Sequence, residues 1–464
     1  MLKNFTLQWL KFLVAGEGLS VKTGRAIGLA ALTGVLAGLA ASAFHWLLDF
    51  FRFLLVESVA GVHPLLADGE VSLFTAPADA LCDRWILLLL PAAGALLSAL
   101  IVKMFSPESA GHGTDACIFS FHHNEGIMPW RIIPVKALTA SMVIGSGGSA
   151  GCEGPVTQIG AACGSLLSRI FRLSPPERRI LMVAGLSAGV GALFRSPLAG
   201  AVFGAEILYS GLDAEYEVVM PSLVASTIAY SVFCLFFGWQ SFFVMPEWNF
   251  DEPWQLLPFL ALALLVSLGA KAYIFTFRRC EHYFHHSPFP AWFRPAAGGI
   301  VTGLIICFLP EVMGSGYGVI QQALLVDTKL EVSSWTCSFF LLIFVFKIIA
   351  TSFTVGSGGS GGLFGPALVS GASLGAAVGL MFDTMLPMLD IHPGAYALVG
   401  MAGFLAASVR TPLAAIIMVS EISGNHVLLL PAMWVCGITY WLGNGWTIYR
   451  SQVRDRECSG AHRQ

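Results

Sequence analysis

Residues 145–155 read Gly-Ser-Gly-Gly-Ser-Ala-Gly-Cys-Glu-Gly-Pro, and residues 356–366 read Gly-Ser-Gly-Gly-Ser-Gly-Gly-Leu-Phe-Gly-Pro. Eight of the eleven positions are identical at an offset of 211. A second pair follows in the same order: Arg195-Ser-Pro-Leu-Ala leads to Glu206, and Arg410-Thr-Pro-Leu-Ala leads to Glu421, at an offset of 215. One glycine run is weak evidence. Two unrelated motifs recurring in order at nearly one spacing mark an internal duplication of ~200 residues, a pattern common in transporters.

The composition places this duplication in a membrane. Of 464 residues, 56% are hydrophobic and 11% charged, with a mean hydropathy of +0.75. Soluble domains carry about 25% charged residues, so an ordinary cytoplasmic enzyme is excluded. An outer-membrane barrel would read as alternating ~10-residue strands, whereas the apolar runs here are long and continuous. They lie near 27–50, 85–104, 218–238, 256–277, 296–309, 338–353 and 427–442. Shorter, glycine-broken runs lie near 133–144, 155–170, 180–194, 197–209, 364–381, 395–408 and 412–420. Crossing a bilayer takes about 20 helical residues, so the short runs predict interrupted helices, tolerated only where they are buried in protein or line a cavity. The chain therefore reads as an all-α polytopic membrane protein.

Net charge of −3 leaves no basic footprint for nucleic acid. The ten cysteines form no Cys-x-x-Cys pair, which argues against a zinc knuckle or a disulfide framework. No His-Glu-x-x-His or phosphate-binding loop is present. Residues 1–20 read as an interfacial amphipathic helix, with an uncleaved signal as the alternative. Arg169, Arg172, Arg178, Arg179, Lys271, Arg278, Arg279, Arg294 and both termini form a basic set, and Glu57, Asp68, Glu70, Asp79, Asp83, Glu247, Asp251 and Glu252 an acidic one. The positive-inside rule predicts that the basic set and both termini are cytoplasmic.

The glycine motifs carry the chemistry. Glycines let the backbone turn sharply, and Pro155 and Pro366 each suit a first helical turn. Each motif therefore predicts a helix N-terminus inside the membrane, where unpaired N–H groups and the helix dipole attract an anion. Glu153 falls at one such terminus. Its carboxylate would compete with a permeant anion, or it would simply cap the helix; an intramembrane ionisable residue is a functional candidate by default. The matching position in the second copy is Phe364, which cannot titrate.

With these motifs in place, the sequence resembles the CLC family of chloride channels and chloride/proton antiporters over about residues 20–455. Gly151-Cys152-Glu153-Gly154-Pro155 matches the family's G-[K/R]-E-G-P signature, Gly356–Pro366 its second glycine-rich motif, and Arg195–Glu206 the segment that follows. The resemblance implies two inverted-topology repeats of broken and tilted transmembrane helices, spanning 21–240 and 241–449, with a short cytoplasmic tail over 450–464. It implies that Glu153 is the gate. It further implies that the anion is bound by Gly154, by backbone N–H groups of Leu363 and Phe364, and by the hydroxyl of Tyr449. Gly111-His112-Gly113 aligns with the family's Gly-Ser-Gly motif, placing His112 at the inner end of the anion site. A homodimer in a prokaryotic inner membrane, surrounded by lipid and using no cofactor or metal, is expected. With 15 residues after Tyr449, the cytoplasmic regulatory module of some relatives is expected to be absent.

Three positions depart from the family. His112 replaces a serine; it either donates an N–H to the anion or bonds to backbone at a helix start, and its charge can change with pH. Cys152 replaces the basic residue before the gate, removing a cation that would favour an ionised carboxylate. Ile207 stands where the antiporters carry an inner proton-transfer glutamate, and neighbouring Glu206 faces about 100° away on a helix, which leaves Glu206 and Glu421 as structural groups pairing with an Arg or with backbone. The expected function is thus chloride (or similar monovalent anion) conduction through a glutamate-gated channel, with chloride/proton exchange as the alternative. A distant alternative is an intramembrane serine hydrolase at Gly185-Leu186-Ser187-Ala188-Gly189, a pattern that needs a preceding strand. His282, His285 and His286 are expected in a solvated loop.

Overall fold

Proline and glycine punctuate the chain as the sequence reading requires. In this computed structural model, which describes residues 19–74, 85–246, 248, 253–326, 334–386, 388, 391–424 and 426–462, sixteen α-helices occur among the described residues. Eight precede residue 240: α1 (Leu19–Phe51), α2 (Ile86–Phe105), α3 (Thr114–His123), α4 (Ile132–Gly145), α5 (Glu153–Ile170), α6 (Pro175–Leu193), α7 (Pro197–Glu206) and α8 (Tyr216–Phe237). Eight follow: α9 (Leu256–His285), α10 (Arg294–Phe308), α11 (Tyr317–Leu324), α12 (Ser334–Gly356), α13 (Phe364–Met385), α14 (Pro393–Ser408), α15 (Pro412–Ser423) and α16 (Leu429–Leu442). Prolines in the first turn open α6, α7, α10, α14 and α15, where a missing N–H costs no hydrogen bond. Among the described residues six spans are long and apolar enough to cross a membrane, and the other helices are shorter or less apolar. This is an all-α polytopic membrane protein of broken helices. The expected interfacial helix over 1–20 lies mostly outside the described residues.

The halves are related by a local two-fold, and the hydrogen bonds show it. Gly151 N–H donates to Gly362 O at 2.8 Å and Gly362 N–H returns the bond to Gly151 O at 2.7 Å. Such a reciprocal pair lies on the symmetry axis. Next to it α7 and α15 pack antiparallel, and each caps the other. Glu421 accepts N–H bonds from Leu198 (3.1 Å) and Ala199 (2.8 Å) at the start of α7. Glu206 accepts them from Leu413 (3.1 Å) and Ala414 (2.8 Å) at the start of α15. Antiparallel symmetry mates are what an inverted repeat produces. The two glutamates thus hold orphan helix N–H groups, and Glu421 also accepts the hydroxyl of Ser196.

Close helix packing explains much of the glycine. A Cβ at Gly160 of α5 would meet Gly185 O of α6 at 2.1 Å, and one at Gly375 of α13 would meet Tyr396 O of α14 at 2.2 Å. Small residues at such crossings let backbones approach where no water drives association. Ser187 sits within the first of these helix pairs, in mid-helix on α6. It is wholly buried, with Oγ against Gly204 and, among the described residues, no hydrogen-bond partner. It lies in mid-helix and on no strand-to-helix turn, so it lacks the turn geometry that the hydrolase alternative needs. His282 and His285 fall in the last turn of α9 and His286 at its cap, which corrects the expected loop. The helix outruns its apolar stretch, and its polar end is what the composition registered. Among the described residues no group of His, Cys, Asp and Glu could hold a metal ion.

Candidate anion pathway

Four helix starts converge at the centre, two from each half. In the first half Gly113 (φ 82°) caps α3 and the glycine motif opens α5; in the second Gly316 (φ 81°) caps α11 and its counterpart opens α13. The positive φ at Gly113 and Gly316 is costly for residues with a Cβ. Behind each turn lies a fully buried lysine. Lys136 Nζ donates to Ser109 O (3.1 Å) and Gly111 O (2.5 Å), and Lys347 Nζ donates to Val312 O (2.9 Å) and Gly314 O (2.8 Å). These lysines tie down carbonyls, which leaves the helix N–H ends facing inward.

Glu153 is the first residue of α5 and only 2% exposed. Its carboxylate reaches across the two-fold. Oε2 accepts the Gly365 N–H at 3.0 Å, in the first turn of α13, and Oε1 accepts the hydroxyl of Tyr317, the first residue of α11. It therefore occupies the start of another helix. Phe364 lies beside this seat, its ring 5.5 Å from Phe194 and 5.4 Å from Phe203. Tyr317 packs on Phe242 at 5.2 Å and Phe194 at 6.4 Å, completing an apolar collar. Tyr273 donates to Leu363 O at 2.9 Å, fixing the peptide that leads into α13.

Gly154 is held where α3 and α5 nearly touch. A Cβ there would meet His112 O at 2.1 Å and Gly362 Cα at 2.9 Å. The His112 ring stands 5.5 Å from that of Tyr449 and 6.1 Å from Phe277. Among the described residues neither the buried Tyr449 hydroxyl nor the buried His112 Nδ1 has a hydrogen-bond partner, and buried polar atoms normally have one. Two donors of this kind side by side suit a small anion. Tyr449 is positioned by the tail: Asp115 accepts Ser451 N–H (2.8 Å) and Oγ–H (2.7 Å), and Arg278 donates to Thr447 O at 2.5 Å. Below His112 a cavity of about 620 Å³ opens toward the basic end, lined by Gly113, Gln158, Phe277, Glu281 and Ser451 among others.

The structure thus gathers Glu153, Gly154, Leu363 and Phe364 at the α5 and α13 starts, and His112 with Tyr449 beside α3. Ile207 is fully buried, its carbonyl accepting Gln452 Nε2–H at 2.9 Å. Sequence reasoning missed Tyr317, Tyr273 and the two lysines. The signal was present: Gly111-x-Gly113 and Gly314-x-Gly316 recur at an offset of 203, and Lys136 and Lys347 at 211.

The family model for the voltage gated chloride channel matches residues 94–444. The chain belongs to this CLC family. A putative chloride channel protein, ClcB-like, from Ralstonia nicotianae is 32% identical over 356 residues, covering 76% of this chain and 81% of that protein. The H(+)/Cl(-) exchange transporter ClcA of Vibrio parahaemolyticus is 29% identical over 348 residues, covering 74% and 73%. A slow cyanobacterial Cl−/H+ antiporter has the same fold, with a TM-score of 0.77 at 24% identity over 92% of this chain and 96% of that one. A CLC-type fluoride/proton antiporter gives 0.76 at 21% over 95% and 100%. The CLC architecture accounts for the paired helix starts described above.

Proposed function

We propose that this CLC protein exchanges chloride, or a similar monovalent anion, for protons across the cell membrane, with Glu153 as the gate. One observation carries the reading: Glu153 Oε2 takes the helix-start N–H of Gly365 that a permeant anion would take, while the Tyr317 hydroxyl secures the other oxygen of the carboxylate. An ionised carboxylate can only accept hydrogen bonds; once protonated it offers a donor and loses acceptor capacity. Protonation therefore weakens its hold on Gly365 and Tyr317 and lets an anion take the seat. Anion and proton then alternate at one place. His112, Gly154, Leu363, Phe364 and Tyr449 supply the donors along the remainder of the anion route. The relatives named as exchange transporters favour exchange over the channel expected from the sequence.

Supporting proposals follow from the same reading. The basic end is cytoplasmic and carries both termini, the repeats divide near residue 240, and the protein is a homodimer in a prokaryotic inner membrane. A channel is the second reading, favoured by the apolar Ile207 and by the relative named as a channel. Chloride-driven proton movement in proteoliposomes separates the two. Uphill protons establish exchange; chloride flux without protons establishes the channel.

A further inference from the structure

The apolar collar seals Glu153, and a proton from the acidic end must pass it. The residues that meet this requirement lie on the segment after α1. There the helix widens into a π-turn over Arg52–Val59, a feature frequent at functional sites. Arg52 gathers the carboxylates around it. It contacts Asp49, approaches Glu57 at 3.4 Å, and donates from Nη1 to Glu70 Oε1 at 3.3 Å and from Nη2 to Ser72 Oγ at 3.1 Å. The segment carrying Glu70 is pinned over α11: Asp68 N–H donates to Gln321 at 3.4 Å and Gly69 N–H to Phe242 O at 3.2 Å. Leu65 lies so close to α11 that a Cβ on Gly318 would come within 2.3 Å of its backbone.

Glu70 and Tyr317 share the wall of a cavity of about 40 Å³, which Arg52 and Ser315 also line among others. A water needs roughly 10–15 Å³ by this measure and two to four polar partners, and these walls supply both. Tyr317 in turn donates its hydroxyl hydrogen to Glu153. We propose that Glu70 is the outer proton donor and acceptor for Glu153, acting through water in this cavity and the hydroxyl of Tyr317. The inference rests on the reading of Glu153 as a protonatable gate.

The transfer balances. A proton from outer water neutralises the Glu70 carboxylate. Glu70 gives it to the cavity water, which gives a proton to Tyr317 Oη as the phenolic hydrogen passes to Glu153. Glu70 ends ionised, Tyr317 neutral and Glu153 neutral. Burial also pushes the Glu70 carboxyl above the usual carboxylate range, against the opposing pull of Arg52. Its side chain is 8% exposed, close enough to solvent to reload. Among the described residues, the other charged or titratable groups that face this cluster are Asp49, Glu57, His45 and His63 on its own flank. From the packed elements come Cys152, Arg195 and, behind Gly316, Lys347.

The test is Glu70→Gln in proteoliposomes, with proton turnover followed against external pH and chloride binding measured by calorimetry. The relay predicts a maximal proton turnover at least tenfold lower, chloride affinity within twofold of wild type, and recovery in Glu70→Asp. Unchanged turnover overturns it. So does a profile displaced along the pH axis with its maximum intact, which would mark a purely electrostatic effect. Loss of chloride binding along with proton turnover also overturns it, marking Glu70 as structural. Glu153→Gln is the separate control. A wild-type pH response in that variant overturns the gate itself and this inference with it, whereas a normal loss there with no effect of Glu70→Gln overturns the relay alone.

Discussion

Removing the Tyr317 hydroxyl should make chloride bind more tightly. Tyr317→Phe keeps the ring that packs on Phe242 at 5.2 Å and Phe194 at 6.4 Å, and deletes one of the two donors that hold the Glu153 carboxylate. A hydrogen bond to a charged group contributes about 1.5–3 kcal/mol, and each 1.4 kcal/mol is a factor of about ten. The seated carboxylate should therefore lose roughly tenfold to a hundredfold in occupancy relative to a competing anion. The gain appears as a chloride Kd lower by that factor, read by isothermal titration calorimetry on purified protein. A double-mutant cycle isolates the cause. In a Glu153→Ala background there is no carboxylate to displace and the coupling between the two positions is gone, so Tyr317→Phe should leave the affinity within about twofold. An unchanged Kd in the single variant, or an equal gain in both backgrounds, would refute competition for one seat.

Other outcomes follow from the same contacts. Gly154→Ala places a methyl 2.1 Å from His112 O, which must retreat by about 1 Å; displacements of that size cost on the order of a hundredfold at a positioned site, so anion flux should collapse, whereas Gly111→Ala meets no atom within 4 Å and should keep flux despite a φ of 69°. Glu206→Ala strands the N–H groups of Leu413 and Ala414; at about 1–3 kcal/mol for each unsatisfied buried donor, the thermal unfolding midpoint in detergent should fall by several degrees, with the proton-to-chloride ratio of the surviving protein unchanged. His112→Ser replaces the imidazole beside Tyr449 with a small hydroxyl and should alter anion preference or inner-side pH sensitivity; identical selectivity in both proteins would make His112 structural.

Most of the scaffold was legible because it is written in apolar runs. Every run bounded by glycine or proline became a helix, and the doubled motif marks where α5 and α13 begin. The helices α3 and α11 were not foreseen: Thr114–His123 and Tyr317–Leu324 are short and mixed in polarity, and each depends on a Gly-x-Gly turn braced by a distant lysine. For the same reason Tyr317 went unnoticed. It lies 164 positions from Glu153 along the chain, and only folding brings the two into contact. The pairing of Glu206 with α15, and of Glu421 with α7, was equally invisible in detail. Their equal spacing from Arg195 and Arg410 revealed the duplication but not that each caps the opposite half. Glu70 looked like one more loop acid until the π-turn brought Arg52 beside it.

Simultaneous recording of chloride efflux and proton uptake in proteoliposomes tests the central claim most directly. With an outward chloride gradient and no proton gradient, wild-type protein should drive protons inward and uphill, and Glu153→Gln should abolish that uptake and the pH dependence of anion flux. Chloride efflux from wild-type protein with no accompanying proton movement, or a Glu153→Gln variant that still carries protons, would contradict the account.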